Sequence, residues 1–510
     1  RNSKPLVIGV TTCDDYNAYA GGIDIADGQY SITQALNQTA HGGTGGTAGL
    51  VVIGLGISES AGWGQAAHLS PLGNGEGCDL MTTLVHEYSH LLGISSSGAE
   101  SESSAFTNET GTVSLWDSHL YDRYGTQAQA NMRIVLYEEG QSYDGTVFVS
   151  GTKARSGVTF RGEHVSEVLQ GALGGGLPVN GFEGDTAELS HIELDHSLMS
   201  HQYWRNWNTL MEAELAALQD LGYRIDRRNW YGYSVYGSGL TLTNTNGYWA
   251  RNAAGTAYLE GQANTATLGT GLHIYGSNNT VTQAADLLAC GTAGTGIRVD
   301  GTGNTLAVAE GVTVTADGDW GTGLLVAYGK DQIVVNQGSV TATGTGGVAV
   351  RFDFGSNMLG DNVMEYRGSW MWKSYASCQD GVVVNTSLTV NNGLDAHGFP
   401  LNLDGAMVSR FALSGSIEGS AAAIYIADNA WVKQIDILSG ASIRGDILSG
   451  WDPENELVQY ATLNAGHSDT ELTTLLTFGR ETLASGLGGD NGDAAFSLVY
   501  GGAISGAKSI

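Results

Sequence analysis

Cysteine, basic residues, proline and long apolar runs are all scarce in this chain, and each scarcity narrows what the chain can be. Four cysteines in 510 residues are too few for a disulfide scaffold. Cys13 and Cys78 fall in the first part and Cys290 and Cys378 in the second, so the alternatives are one disulfide in each part, four unpaired or buried thiols, or Cys13 as a thiolate that blocks a metal. Lysine and arginine total 22 against 52 aspartates and glutamates, a formal net charge of -30. No basic cluster is present to displace counterions from phosphates, which argues against a nucleic-acid partner. Such acidity suits a soluble protein that repels anionic surfaces. No apolar run reaches the length of a membrane span, and no signal peptide opens the chain at Arg1, so a processed, non-spanning protein is expected.

What is abundant is glycine, at 76 residues against 5 prolines, in a chain that is 42% hydrophobic. That apolar content argues for folded β structure rather than disorder. The length is too great for one ordinary core, so two or more folding units are expected. The texture changes near Tyr231. Before it, apolar runs at Leu6–Val10, Leu50–Leu55 and Met132–Tyr137 read as strands, and at least two segments read as helices. After it come short β-branched runs separated by Gly, Asn, Thr and Asp.

The second part repeats. GLHIYG, GIRVDG, GLLVAYG and GVAVRFDFG begin at Gly271, Gly296, Gly323 and Gly347, at intervals of 25, 27 and 24 residues, and AIYIADNA from Ala423 reads as a later rung after an insertion around Met364–Cys378. A unit of this size cannot bury its own apolar face, so rungs must stack around a shared core. Small or β-branched residues are expected inside, with Gly and Asn at the corners. The competing architecture is a β-sandwich with irregular strands.

The chemistry is concentrated in the first part. Around Asp79–Gly93 the chain reads CDLMTTLVHEYSHLLG, with apolar residues at helical spacing, Asp79 placed to cap and Gly93 placed to end the helix. His86 and His90 stand one turn apart on one face, so both imidazoles can reach a single zinc ion. Glu87 lies beside them as the group that takes a proton from the attacking water and passes it to the leaving amine. Ser96 stands where a third histidine would complete HExxHxxGxxH. Glu100, Glu102, His119, His191, His196 and His201 are the candidates for the missing ligand.

Leu189–Tyr223, LSHIELDHSLMSHQYWRNWNTLMEAELAALQDLGY, resembles the closing segment of leishmanolysin-type metzincins. In that family a long insertion delays the third histidine, which precedes a methionine-containing turn and a helix ending in a QDLGY-like phrase. The resemblance implies an α+β metzincin-type domain over residues 1–230 with Zn2+ held by His86, His90 and His191, Glu87 catalytic and Met199 as the floor of the turn. His196 stays the alternative third ligand, because the spacing from His191 to Met199 is tighter than the family pattern. Tyr203 is a candidate for stabilising a tetrahedral intermediate, and His68 and His119 read as surface or packing histidines. Thr209 and Glu212 read as a capping box.

Ser414–Gly450, SGSIEGSAAAIYIADNAWVKQIDILSGASIRGDILSG, resembles the passenger region of bacterial autotransporters. That resemblance implies an all-β right-handed parallel β-helix over residues 231–510 and location outside a Gram-negative cell, secreted or at the surface. Together the two imply a zinc endopeptidase acting on extracellular protein or peptide substrates, with Leu50–Leu55 or Gly64–Leu69 as the edge strand that pairs with substrate. The other readings are an adhesin with a vestigial or structural metal site, and a polysaccharide-cleaving solenoid. Arg298, Arg351 and Asp353 are too sparse to favour the last.

Overall fold

A computed structural model describes side chains for residues 84–98, 105–107, 111–135, 143–150, 157–179, 189–192, 194, 197–199, 210–353, 405–428, 430–450 and 474–478, and the backbone of further strands and helix residues between them. Among the described residues no helix is long and apolar enough to cross a membrane.

From Tyr231 onward the chain winds into a parallel solenoid. Three sheets run along it, of eight, seven and six strands, and every pairing within them is parallel. The eight-stranded face opens with Tyr231–Val235 and continues through Thr270–Ile274, Thr295–Val299, Thr322–Val326, Val348–Phe352 and Ala422–Ile426. Inside, Leu272, Ile297, Leu324, Val350 and Ile424 stack in register, all fully buried. Burying an apolar side chain of this size contributes about 1.5–3 kcal/mol, and only stacking removes both its neighbours from water. Corners carry an amide ladder: the Asn279 amide N–H donates to Asn304 and that of Asn304 to Gln332, both at 2.9 Å.

The repeat has a steric cause. A Cβ on Gly271 would stand 2.6 Å from the carbonyl oxygen of Gly296, and one on Gly296 would stand 2.5 Å from that of Gly323. The backbones approach too closely there for a side chain. In the fourth rung the equivalent position is Ala349, because Gly323 faces the Ala349 carbonyl and Thr322 pairs with Val348. The last interval of the repeat is therefore two residues longer than the spacing from Gly323 to Gly347 suggests. The expected insertion is present as a four-stranded antiparallel sheet, Ser356–Leu359, Val363–Tyr366, Met371–Tyr375 and Thr386–Val390. The next rung, Ala422–Ile426, pairs directly with Val348–Phe352 across it. Cys290 is a free thiol, which removes the disulfide alternative for the second part; Cys13, Cys378 and the Cys78 side chain lie outside the described residues.

The first part mixes small sheets with three α-helices among the described residues. Strands β1 (Leu6–Thr11), β2 (Ala18–Gly22) and β3 (Gly49–Gly54) form one sheet in the order β1-β3-β2. Strand β3 is thus flanked on both sides, parallel to β1 and antiparallel to β2. Leu50–Leu55 is accordingly not the edge expected of it; periodicity places a strand but says nothing of its neighbours. Of Gly64–Leu69, only Gly64 is described, in the short parallel pair Trp63–Gly64 with Cys78–Asp79.

Helix α1 (Leu80–Leu91) ends where Gly93 adopts φ 113°. Helix α2 (Glu163–Leu169) is capped from a distance: the amides of His164 and Val165 donate to the Asp220 carboxylate at 2.9 and 3.0 Å. Helix α3 (Glu212–Asp220) carries that carboxylate at its end, and Gly222 follows at φ 94°. The QDLGY phrase is therefore a helix stop and a cap for its neighbour. Helix α3 begins two residues later than a Thr209–Glu212 capping box requires: Met211 is its N-cap, and Glu214 is the carboxylate that reaches back. Thr209 lies outside the described residues. The core of this part includes Phe106, Trp116, Phe148, Phe160 and Met199, and Tyr236 and Tyr275 of the solenoid join the same cluster.

Candidate metal centre

Two segments a hundred residues apart build the site. Helix α1 supplies His86 and His90, and the segment around Leu189–Ile192 supplies His191. One nitrogen from each of the three imidazoles lies within 4.8 Å of the others. Ring centroids are 4.7 Å apart for His86 and His90, 5.3 Å for His86 and His191, and 4.9 Å for His90 and His191. His86 is buried and the other two are half-buried.

Backbone carbonyls orient two of the rings. His86 Nδ1 lies 2.6 Å from the Leu198 oxygen, and His90 Nδ1 lies 2.7 Å from the Ile94 oxygen. A carbonyl oxygen only accepts, so each Nδ1 carries the proton and each Nε2 keeps its lone pair. The two Nε2 atoms stand 3.1 Å apart. Two lone pairs facing each other at that distance repel, whereas a cation shared between them is attracted to both. Two Zn–N bonds of about 2.0–2.1 Å span such a separation. The donor set thus fits a zinc ion, with outer carbonyls of the kind that fix a ligand tautomer. Glu87, beside His86 in sequence, is 7% exposed, and Tyr88 is an exposed aromatic on the same helix.

The loop after α1 is held by a buried carboxylate. Asp117 accepts from the Ser96 and Ser97 hydroxyls, the Ser97 amide at 2.9 Å and the Ser114 hydroxyl at 2.6 Å. Burial pushes its carboxyl upward from the ordinary aspartate range, and these donors pull it back. Ser96, where the compact pattern would have a histidine, donates its amide to the Ser190 hydroxyl at 3.0 Å. The loop therefore ties the helix to the residue preceding His191. Trp116 Nε1 donates to the Leu189 oxygen at 2.7 Å, and the Ile192 amide donates to the Met199 oxygen at 2.9 Å, pinning the His191 segment on both sides. Met199 is fully buried in a turn whose preceding residue, Leu198, faces His86.

His119 does not join the three histidines: its Nδ1 contacts the Arg161 oxygen at 2.7 Å and its ring stacks on Phe160. His68, Glu100, Glu102, His196, His201 and Tyr203 lie outside the described residues. Asp117 and the orienting carbonyls of Ile94 and Leu198 carry no local sequence signal, since each acts on a residue brought near by the fold or through its backbone. Compared with known proteins, the chain matches no family model, no curated protein and no solved structure.

Proposed function

We propose that the chain is a zinc-dependent endopeptidase of metzincin type, in which His86, His90 and His191 hold the ion and Glu87 is the catalytic carboxylate. The observation that carries this reading is the convergence of three imidazoles with two Nδ1 atoms committed to carbonyls and their Nε2 atoms turned inward. Three histidines with one coordination position left open is a catalytic rather than a structural zinc set. Zinc bound there supplies Lewis acidity toward a carbonyl oxygen and acidifies water.

The chain's own residues do the rest. Glu87 takes a proton on its carboxylate from the attacking water and returns it to the leaving amine. The Leu198 and Ile94 carbonyls hold the imidazoles in one tautomer throughout. Among the described residues strand β2 pairs only with β3, which makes it the candidate edge to which an extended peptide can add. The solenoid and its likeness to autotransporter passengers support extracellular protein substrates and a place outside a Gram-negative cell.

The test is cleavage of a mixed protein substrate by the full chain and by Glu87→Gln, with zinc content measured on both. Glu87→Gln should retain zinc and lose cleavage. Cleavage at the wild-type rate by Glu87→Gln would overturn the mechanism and favour an adhesin with a structural ion.

A further inference from the structure

A second buried carboxylate sits behind the histidines, on α3. Glu214 is fully buried. Its Oε2 accepts from the Met211 amide at 2.6 Å, and its Oε1 accepts from the Met199 amide at 2.8 Å and from the Ser197 hydroxyl. One carboxylate thus clasps the start of its own helix and the Ser197–Met199 turn. That turn reaches both ligand segments: the Leu198 oxygen meets His86 Nδ1 at 2.6 Å, and the Met199 oxygen meets the Ile192 amide at 2.9 Å, next to His191.

The start of α3 is in turn gripped by the solenoid's first rung. The Tyr231 hydroxyl donates to the Leu210 oxygen at 2.5 Å, and the Ala213 amide donates to the Tyr236 hydroxyl at 3.2 Å. Connected contacts therefore run from the first rung through the start of α3 and Glu214 to the turn, and from the turn to His86.

We infer that Glu214 is a positioning residue for the metal centre, holding the Ser197–Met199 turn so that the Leu198 carbonyl fixes the tautomer and aim of His86, with the solenoid's first rung as its anchor. The inference rests on the zinc reading above. A buried cap would also stabilise α3 without any bearing on His86, and the neighbouring Glu212 separates the two roles. Glu212 is buried on the same helix and held by Arg227, and among the described residues it makes no hydrogen bond to the turn. Outer groups that orient a ligand typically change metal affinity by roughly 10–100-fold when lost.

The experiment compares the full chain with Glu214→Gln, Ser197→Ala and Glu212→Gln. Zinc Kd is measured by chelator competition and stability by urea midpoint. The 15N signature of the His86 ring is recorded on metal-free protein labelled at histidine and assigned by its loss in His86→Gln. In Glu214→Gln the amide group turns a donor toward donors, so zinc Kd should weaken roughly 10–100-fold and the protonated-Nδ1 signature of His86 should be lost or broadened. Ser197→Ala, which removes one donor without changing the core's volume greatly, should shift both readouts in the same direction by less, and it carries the test if Glu214→Gln does not fold. Glu212→Gln should lower the urea midpoint and leave Kd and the His86 signature as in the wild type. An unchanged His86 signature in Glu214→Gln or, if that variant does not fold, in Ser197→Ala would overturn the inference. So would equal loss of the signature in Glu212→Gln. If the wild type binds no zinc, the endopeptidase reading falls, and the metal-free His86 signature still decides the role of Glu214.

Discussion

Replacing Asp117 removes the centre of a four-donor cluster, and its cost follows from what each donor has left. In Asp117→Ala the Ser97 amide loses its acceptor, as do the hydroxyls of Ser96, Ser97 and Ser114. An amide left without its acceptor costs about 1–3 kcal/mol. The three serines are only half-buried, so their hydroxyls can turn toward water and lose about 0.5–1 kcal/mol each. Removing a desolvated carboxylate gives back part of this, which leaves a net loss near 3 kcal/mol. Asp117→Asn keeps one acceptor oxygen and should lose about half as much. Urea unfolding at constant m measures the loss, and hydrogen exchange across residues 94–98 should show that loop opening first, because the loop is what Asp117 ties down. A midpoint for Asp117→Ala equal to the wild type, with the loop still protected, would refute the reasoning.

Two further outcomes follow from the solenoid. Burial holds His273 below the ordinary imidazole range despite its 2.6 Å contact with Asp300, which also pairs with Arg298. The unfolded chain takes up a proton below about pH 6.5 that folded His273 resists. Its contribution to stability is therefore full above that pH and falls as pH drops toward the folded pKa, and His273→Gln should flatten this limb when urea midpoints at pH 5 and 7.5 are compared. Gly296→Ala would place a Cβ 2.3 Å from Val314 Cγ1 and 2.5 Å from the Gly323 oxygen, and should cost about 1–3 kcal/mol or more by thermal unfolding. A midpoint unchanged from wild type would mean the rungs are not this tightly stacked.

The legible parts of this chain were those with local causes. The apolar spacing and Gly93 marked out α1, and its observed span is Leu80–Leu91. The glycine-led rungs marked out the solenoid because each rung meets the same carbonyl of the next. Other features depend on contacts that periodicity does not record. Strand β3 reads as a strand, but only the pairing shows it to be central. Thr209 and Glu212 stand at capping-box spacing, but the N-cap of α3 is Met211, a residue type that gives no capping signal, and Glu214 is the carboxylate that reaches back. His191 could be singled out among several histidines only through a resemblance, since a hundred residues separate it from the pair it meets. Asp117 and Glu214 were invisible for a related reason: a buried carboxylate is recognised by its donors, and several of those lie far along the chain.

The most direct measurement of whether the three histidines bind one zinc ion is zinc stoichiometry and Kd of the full chain beside His191→Ala and His119→Ala. The wild type and His119→Ala should each bind one zinc with the same affinity, and His191→Ala should lose more than the roughly 10–100-fold that changes outside the ligand set cost. A chain that binds no zinc, or His191→Ala binding it as tightly as the wild type, would contradict a zinc centre built from His86, His90 and His191.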